Sequence, residues 1–402
     1  MNPSHPRLLV ATEFAPRGPG GGLVLLRQML QGWPAERLFW WSCRDSALAG
    51  EAQAVARHFV APNPARLYPN VRFAGVRARL MELLWVPRAA LHLRRTIEEC
   101  RPDVVWVIPQ NWSIPPLAKV MPRSGVPYHV SLHDYPDLAS VVKRIGAGAA
   151  CRLASGADTL YREAASRDAI CPPMRDDLRR RTGADGLVNR VGVEAEDLAG
   201  LAAKHSQPAS EISIAFAGTI IAEDAFEFFI RALGGIRSRL GRPLRVEFFG
   251  AHSHQGRAWF DASWMRTRVN LPEAEFRTAL RGCAWGMAPT ALAGGDPRYH
   301  RFSFPAKITS YLGAGLPLLS LAHPESSLME LAGRYGIGLC SATTRLETLQ
   351  QELLATLAEV DPWARYGAEI RRCVSAEFSA GQMRAALHEC FSAAAARRGG
   401  RG

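Results

Sequence analysis

The chain has 402 residues, too many for one ordinary hydrophobic core, and this length fits two domains of roughly 200 residues each. Hydrophobic residues make up 48% of it, with 35 Gly and 27 Pro, which indicates a folded α/β protein rather than a disordered one. No apolar run reaches the about 18 residues of a membrane span, and the apolar run after the polar start is too short for a signal peptide. We therefore expect a cytoplasmic protein.

Charge and cysteine usage restrict the partners. The formal net charge of +12 would attract phosphates, anionic lipid or nucleic acid, although the excess of Arg over Lys also fits a GC-rich genome. The eight Cys are scattered without a C-x-x-C pair, and His252 and His254 have no third ligand nearby. We predict free thiols, no metal, no bound cofactor and no nucleic-acid partner.

The first half of the chain alternates predicted strands and helices. Residues 7–12 predict a buried strand, residues 17–22 a glycine-rich loop and residues 23–30 an apolar-faced helix. This order is typical of the first βα unit of a doubly wound sheet. The alternation continues with strands at 37–43, 104–108, 128–132, 168–171 and 187–189, and with a helix at 174–181.

The pattern breaks in a polar, Ala-rich stretch at 195–211 and then restarts. The second half predicts strands at 212–218, 244–250, 284–288, 316–321 and 337–340, and helices at 224–240, 273–281, 326–335 and 343–360. We therefore predict an α/β protein with two Rossmann-like doubly wound domains. The first domain covers residues 1–200, the second covers 201–375, and a C-terminal helix covers 376–396.

The glycine loop is the first candidate site. Gly20, Gly21 and Gly22 lack Cβ atoms where a helix begins, so backbone N–H groups can approach an anion there. The loop lacks the G-x-G-x-x-G fingerprint and an acidic residue at the expected distance, which argues against a dinucleotide site. A flexible turn remains the alternative.

His133 and Asp134 are the second candidate site. They follow the predicted strand 128–132 and so lie at the carboxyl edge of the sheet, where open α/β sheets bind ligands. A histidine there can donate a hydrogen bond to a sugar hydroxyl or accept a proton. The alternative is a structural cap at the end of the strand.

Residues 72–95 are basic and amphipathic, with six Arg, several Leu and only Glu82 opposing them. Such a segment can lie on an anionic membrane surface. The alternative is a pair of helices that pack on the sheet with their arginines in solvent.

The most informative segment runs from Ser303 to Leu319. Pro305 suits a first helical position, Gly315 ends the helix and an apolar strand follows. Lys307, one of only four Lys in the chain, adds a charge near the helix N-terminus, where backbone N–H groups can hold a phosphate. An ordinary core helix with a glycine cap is the alternative.

The order of residues in this segment resembles the donor-binding segment of the retaining nucleotide-sugar glycosyltransferases of family 4, which have the GT-B fold. The matching residues are Phe304, Pro305, Lys307, Ile308, Tyr311, Leu312, Gly315 and Pro317. Residues 192–194 and 378–379 resemble the family's segments at the end of the first domain and before the C-terminal helix. The resemblance thus spans nearly the full chain.

The resemblance implies two domains that face a central cleft, and it implies roles for individual residues. The expected catalytic residues are His133, placed against the sugar, and Asp134. The residues expected to bind the donor are Gly21, Gly22, Gly218, Thr219, Arg301, Ser303, Phe304, Lys307 and Ser310.

Two departures from the family pattern bear on activity. The turn at 220–225 has no cation, where family members carry an Arg and a Lys. The positions of the paired glutamates hold Phe302 and Ser310 instead. Ser310 can still hydrogen-bond a ribose hydroxyl, and Lys307, Arg298 and Arg301 can supply charge.

The predicted function is transfer of a sugar, with retention, from a nucleotide-diphosphate donor to a glycan or lipid-linked acceptor. Synthesis of bacterial surface polysaccharide or glycoconjugate is the expected setting, at the inner face of the cell membrane if residues 72–95 bind it. The alternatives are a catalytically degenerate GT-B binding protein and a GT-B sugar-nucleotide epimerase.

Overall fold

The computed structural model describes residues 5–18, 21–45, 52–64, 73–204, 210–290, 292 and 297–399. The chain divides into a first unit, Met1–Val191 with Gln382–Gly402, and a second unit, Gly192–Gly381. The division falls after Val191 rather than at residue 200. Among the described residues, no helix is long and apolar enough to cross a membrane.

The first unit is built on a seven-stranded sheet in the order β3-β2-β1-β4-β5-β6-β7, with every neighbouring pair parallel. β1 and β2 are buried along their whole length, which explains their nearly unbroken apolar sequences. The strands are β1 Leu8–Thr12, β2 Leu38–Ser42, β3 Arg57–Val60, β4 Val104–Val107, β5 Tyr128–Leu132, β6 Ser166–Ala169 and β7 Leu187–Val188.

Helices cover both faces of this sheet, as the crossovers between parallel strands require. They are α1 Gly21–Met29, α2 Ala74–Leu80, α3 Val86–Cys100, α4 Ile114–Val120, α5 Ala139–Ile145, α6 Ala147–Glu163 and α7 Pro172–Thr182. A single π-helical turn, Met81–Trp85, joins α2 to α3.

The second unit has a six-stranded parallel sheet in the order β10-β9-β8-β11-β12-β13. Its strands are β8 Ile212–Ala217, β9 Leu244–Gly250, β10 Met265–Val269, β11 Trp285–Pro289, β12 Leu318–Leu321 and β13 Gly338–Ser341. Its helices are α8 Ala195–Ala203, α9 Glu223–Ile236, α10 Glu273–Arg281, α11 Pro297–Phe302, α12 Lys307–Gly313, α13 Ser327–Tyr335, α14 Leu346–Leu357 and α15 Pro362–Glu377.

The last helix, α16 (Ala380–Gly399), packs into the core of the first unit. Leu387, Phe391 and Ala394 are buried there, and the Phe391 ring lies 5.4 Å from that of Trp106. The C-terminal end of the chain therefore stabilises the domain that the N-terminal half begins.

Two doubly wound parallel sheets confirm the predicted fold class. The elements that were not predicted include β3, β10, α8, α11 and α15. β10 is an edge strand whose Arg266 and Arg268 both approach the buried Glu247 carboxylate, at 4.0 and 2.8 Å. Because three of its five residues are polar, this strand lacks the apolar run by which the central strands were recognised.

In both sheets the strand order reverses between the first and fourth strands, β1 and β4 in the first unit and β8 and β11 in the second. Such a switch point opens a crevice at the carboxyl ends of the strands, which is where doubly wound folds bind ligands. The fold thus marks one candidate position in each unit.

Candidate functional site

The second unit has a cavity of about 570 Å³ at its switch point. Thr219, just beyond β8, and Ala288 and Pro289, at the end of β11, form its floor. Its volume is in the range of small-molecule sites. The other lining residues are Ile221, Ala222, Glu223, Asp224, Thr290, Tyr299, His300, Ser303, Pro305, Lys307, Ser326 and Leu328.

Lys307 places a positive charge in this cavity. Its Nζ donates a hydrogen bond to the Thr219 carbonyl at 3.3 Å and lies 3.9 Å from the centroid of the Phe216 ring. Burial lowers the pKa of the amine to about 8. Within the described residues no carboxylate pairs with this ammonium group, so an anionic ligand would complete its interactions.

Acidic side chains line the opposite side. Glu223 and Asp224 occupy the first turn of α9, where carboxylates interact favourably with the helix dipole. The Glu223 carboxylate also pairs with Arg257 at 3.0 Å. The N-terminus of this helix thus interacts with its own acidic side chains. Among the described lining residues, Lys307 is the only lysine or arginine.

Tyr311 holds α12 against the switch point. β8 and β11 pair only at Ile214 with Trp285 and at Ala215 with Gly286. Beyond that point the Tyr311 hydroxyl accepts a hydrogen bond from the Ala217 N–H at 2.7 Å and donates one to the Met287 carbonyl at 3.0 Å. The hydroxyl therefore bridges the two strands where they separate.

The Tyr311 ring needs a glycine on β11. A Cβ atom at Gly286 would lie 2.4 Å from Tyr311 Cγ, closer than any real contact. Gly286 thus lets the ring lie across the strand. This packing brings the first residue of α12, Lys307, to the cavity.

The other end of α12 is held by a second lysine. Lys204 Nζ donates hydrogen bonds to the carbonyls of Ala314 and Gly315, at 3.0 and 3.1 Å. Burial lowers the pKa of this amine as well, to about 8. A cation at a helix C-terminus is the favourable placement for the helix dipole.

The structure brings only some of the predicted donor-binding residues to the cavity. Thr219, Ser303 and Lys307 line it. Gly218 forms the turn beneath it, with a φ of +85° that favours glycine, while its N–H is bonded to the Phe249 carbonyl. Arg301, Phe304 and Ser310 lie in the same segment as Lys307 but are not among the lining residues, and Gly21 and Gly22 lie in the first unit.

Arg301, Phe304 and Ser310 differ in their exposure to solvent and in their neighbours. Arg301 is exposed and its guanidinium lies 5.6 Å from the Phe302 ring. Phe304 is buried and its ring lies 5.7 Å from that of Phe378. Ser310 is half-buried on α12. The roles that the resemblance gave to these three side chains remain predictions.

Several lining residues were missed from the sequence. Tyr299 and His300 lie on α11, and the His300 ring is stacked on that of His323 at 5.8 Å. Ser326 caps α13 by accepting a hydrogen bond from the Met329 N–H at 3.2 Å. A serine just before a predicted helix indicates a helix cap, but the sequence does not indicate that this residue lines the cavity.

In the first unit, His133 lies over a buried carboxylate. Its Nε2 is 3.3 Å from Asp168 Oδ1, and only 8% of its side chain is exposed. Asp134 reaches solvent and accepts a hydrogen bond from Gln110 Nε2 at 3.4 Å. Crowding around the Asp134 carboxyl group raises its pKa by desolvation, against the lowering effects of His133 and Gln110.

Asp168 is the centre of a polar network under α16. Its Oδ2 accepts hydrogen bonds from Ser131 at 2.8 Å and Asn189 at 3.3 Å, and it lies 2.9 Å from His129 Nε2. Burial acts to raise the pKa of Asp168. The hydrogen bonds and charges of His129 and His133 outweigh burial and hold that pKa well below its ordinary value.

The switch point of the first unit is filled by Glu13. This buried residue follows β1, and its Oε2 accepts a hydrogen bond from the Trp112 N–H beyond β4, at 3.1 Å. Its Oε1 pairs with Arg44 at 2.6 Å. A carboxylate thus occupies the place where the second unit has a cavity.

Gly21 and Gly22 begin α1 immediately beyond the same edge, and Gly20 lies outside the described residues. A Cβ atom at Gly22 would lie 3.8 Å from Phe14 Cζ, an ordinary contact. Their predicted role beside a phosphate remains a prediction. Among the described residues no group of three or more His, Cys, Asp or Glu is placed to hold a metal ion.

No protein-family model matches the chain, and no curated protein matches it. Solved structures match it in fold over nearly its whole length. HepE from Anabaena, determined with UDP and glucose, has 13% identity and a TM-score of 0.64, covering 96% of this chain and 100% of its own.

Two further structures show the same likeness. The UDP-forming α,α-trehalose-phosphate synthase from Burkholderia xenovorans, determined with glucose-6-phosphate, has 12% identity and a TM-score of 0.62, covering 96% of this chain and 100% of its own. The glycotransferase of kitacinnamycin has 12% identity and a TM-score of 0.55, covering 96% of this chain and 99% of its own. At these identities the likeness establishes the fold, which is GT-B.

Proposed function

We propose that this protein transfers a sugar from a nucleoside-diphosphate donor to an acceptor. The cavity of the second unit, with the ammonium of Lys307 at its edge, is the observation that carries the proposal. A desolvated cation without a carboxylate partner favours an anionic ligand such as a diphosphate. The likeness in fold to proteins determined with UDP, UDP-glucose or glucose-6-phosphate supports it.

The finer parts of the proposal come from the resemblance in sequence. They are retention of configuration, His133 against the transferred sugar, and a glycan or lipid-linked acceptor in the synthesis of bacterial surface polysaccharide or glycoconjugate. No metal is required in this proposal, because Lys307 and backbone amides would hold the phosphates. Attachment to the inner face of the cell membrane belongs to the same proposal.

Calorimetry with UDP, GDP, dTDP and their glucose conjugates tests the donor site. Lys307→Met removes the charge and keeps the length of the side chain. We expect the affinity of the best nucleotide to fall by about 1–3 kcal/mol, or fivefold to 150-fold, as for a hydrogen bond to a charged group. The matched control is Lys119→Met, an exposed lysine of the first unit. An unchanged affinity in Lys307→Met contradicts the proposed role.

Turnover separates the three candidate functions. NMR of the best donor with the parent protein distinguishes release of the sugar with retained configuration, which supports a transferase, from exchange of its ring configuration, which supports an epimerase. Binding without either reaction supports the non-catalytic alternative. The non-catalytic alternative is tested because Phe302 and Ser310 stand where the family motif has glutamates.

A further inference from the structure

Residues 73–95 have one apolar face that packs on the first unit and a second apolar face that is largely exposed in the described part of the chain. The segment comprises α2, the π-helical turn and most of α3. One face is buried against the first unit through Ala78, Met81, Trp85, Ala89 and Leu93. An amphipathic surface helix normally has polar residues opposite such a face.

The opposite face exposes large apolar side chains. Their exposed fractions are Phe73 63%, Val76 63%, Leu80 37%, Leu83 58%, Leu84 44% and Leu91 48%. The exposed Pro87 lies between the last two of them. Counted with Pro87, successive members are mostly three or four residues apart, so all seven share one side of the segment. We call these seven residues the exposed ridge.

The exposed ridge is a concentration rather than scattered exposure. Twelve large apolar side chains are exposed among the described residues, and six of them lie in this one segment. Single exposed apolar residues need no explanation, but a contiguous apolar row rimmed by polar groups marks an interaction surface.

The rim of the ridge is positively charged. Arg79, Arg88, Arg94 and Arg95 are exposed beside it. Glu82 is the acidic residue between positions 73 and 95, and its carboxylate is bound by Arg79 at 3.1 Å and Arg152 at 2.7 Å. Helix α5, which packs against α2, adds exposed Lys143 and Arg144.

We propose that the exposed ridge docks on an anionic lipid bilayer. Its apolar side chains enter the boundary between headgroups and acyl chains, and the arginines along the row contact lipid phosphates and carboxylates. A long apolar row with cations distributed along it matches a continuous anionic plane better than a compact acidic partner. This inference rests on the membrane attachment included in the proposed function and names the surface that makes it, while its test does not require transferase activity.

Two variants separate the two contributions. Replacement of Arg79, Arg88, Arg94 and Arg95 by Gln removes the charge, and each arginine near an anionic surface contributes about fivefold to the partition constant. The double variant Leu83→Ser, Leu84→Ser removes apolar side chains, each worth about tenfold or more when buried in lipid. All six side chains are exposed, so the fold does not depend on them.

Flotation of the full chain with phosphatidylcholine vesicles, with and without phosphatidylserine, is the measurement. We expect the parent to float with the anionic vesicles, and both variants to lose about a hundredfold or more in partition constant. High salt should weaken the parent but change the arginine variant little.

Matched controls carry the same changes elsewhere. One control replaces the exposed Arg123, Arg179, Arg180 and Arg266 by Gln, and the other is Val269→Ser with Val360→Ser. Both should float like the parent. Equal losses in ridge and control variants, or a parent that does not float, would overturn the proposal. Sedimentation without vesicles tests the alternative, in which the ridge binds a second copy of the chain. That alternative is supported if the parent self-associates but does not bind vesicles, and if the double variant Leu83→Ser, Leu84→Ser abolishes the self-association.

Discussion

The two units have the same strand order around their switch points, but they fill these points differently. In the first unit the residue after β1 is Glu13, whose buried carboxylate joins Arg44 and the Trp112 N–H beyond β4. In the second unit the residue after β8 is Gly218, which has no side chain, and a cavity of about 570 Å³ remains. The two switch points therefore differ in the residue that follows the first strand, and variants at Gly218 test whether a side chain there controls access to the cavity.

A second difference lies in the charged groups at the two edges, because the second unit adds the Lys307 ammonium to the carboxylates of Glu223 and Asp224. The edge of the first unit is organised around the carboxylates of Glu13, Asp134 and Asp168, with His133 over the last of these. The cavity of the second unit contains the Lys307 ammonium. Under the proposed function, the Lys307 ammonium would face the anionic donor, and the first unit would face the neutral sugar or the acceptor.

The largest expected effect tests this division. His133→Ala should lower turnover of the best nucleotide sugar by about 10²-fold or more, as for a positioned proton or hydrogen-bond donor. Nucleotide affinity, measured by calorimetry, should stay within twofold or so, because the phosphates belong to the second unit. His252→Ala, on an exposed loop, is the control. Full turnover in the His133 variant would assign this histidine to structure.

The next effect tests how the open switch point is maintained. Tyr311→Phe leaves the Ala217 N–H and the Met287 carbonyl without their bridging hydroxyl, so we expect the free energy of unfolding to fall by about 1–3 kcal/mol. Denaturant unfolding measures it. Tyr366→Phe is the control, because its hydroxyl forms no hydrogen bond within the described part of the chain. Equal free energies of unfolding for the two variants would show that the Tyr311 hydroxyl does not stabilise the fold.

Closing the second switch point is a smaller change. Gly218→Glu places a carboxylate where the first unit has Glu13, and Gly218→Ala adds the same backbone strain, about 1–2 kcal/mol, without the charge. Relative to the Ala variant, we expect the Glu variant to bind a nucleoside diphosphate about tenfold more weakly, since like charges repel. If both variants bind equally, the side chain at this position does not control access.

The smallest effect is on pH dependence. Because burial lowers the pKa of Lys307 to about 8, diphosphate affinity should fall as pH rises through 8, and Lys307→Met should not show this fall. Stability should change in the opposite direction. Between pH 8 and the ordinary lysine pKa of about 10.4, the unfolded chain binds more protons at this amine, so the free energy of unfolding rises with pH.

The parent and the Lys307→Met variant are compared by denaturant unfolding across that range, so that other titrating groups cancel in the difference. A parent that loses stability relative to the variant as pH rises would contradict the lowered pKa.

The sequence predicted the fold well because central parallel strands are apolar runs that need no tertiary context. Strands such as β5 and β9 begin and end at the predicted residues. β10 was missed because Glu247, on the neighbouring strand, accommodates its arginines. The stretch 195–211 contains α8, whose Ala-rich sequence has only one buried residue, Leu201, to reveal it.

The site was predicted in part. Lys307, Ser303 and Thr219 reach the cavity because they lie in a local motif at the edge of the sheet. The bridge made by Tyr311 depends on two strands that separate, and the closure by Glu13 depends on an N–H about a hundred residues away in the chain. Such contacts between distant segments leave no signal in residue order.

The desolvated amine of Lys307 has a consequence for reactivity. With a pKa of about 8, its neutral and nucleophilic form is more than about a hundredfold more abundant at pH 7 than that of an ordinary lysine. An acylating reagent at low dose should therefore modify this side chain before the exposed Lys119, and a bound diphosphate should protect it. Lys307 would then serve as a covalent label that reports which nucleotides occupy the cavity. Mass spectrometry of the proteolytic peptide that contains it distinguishes it from Lys204, whose amine also has a pKa of about 8.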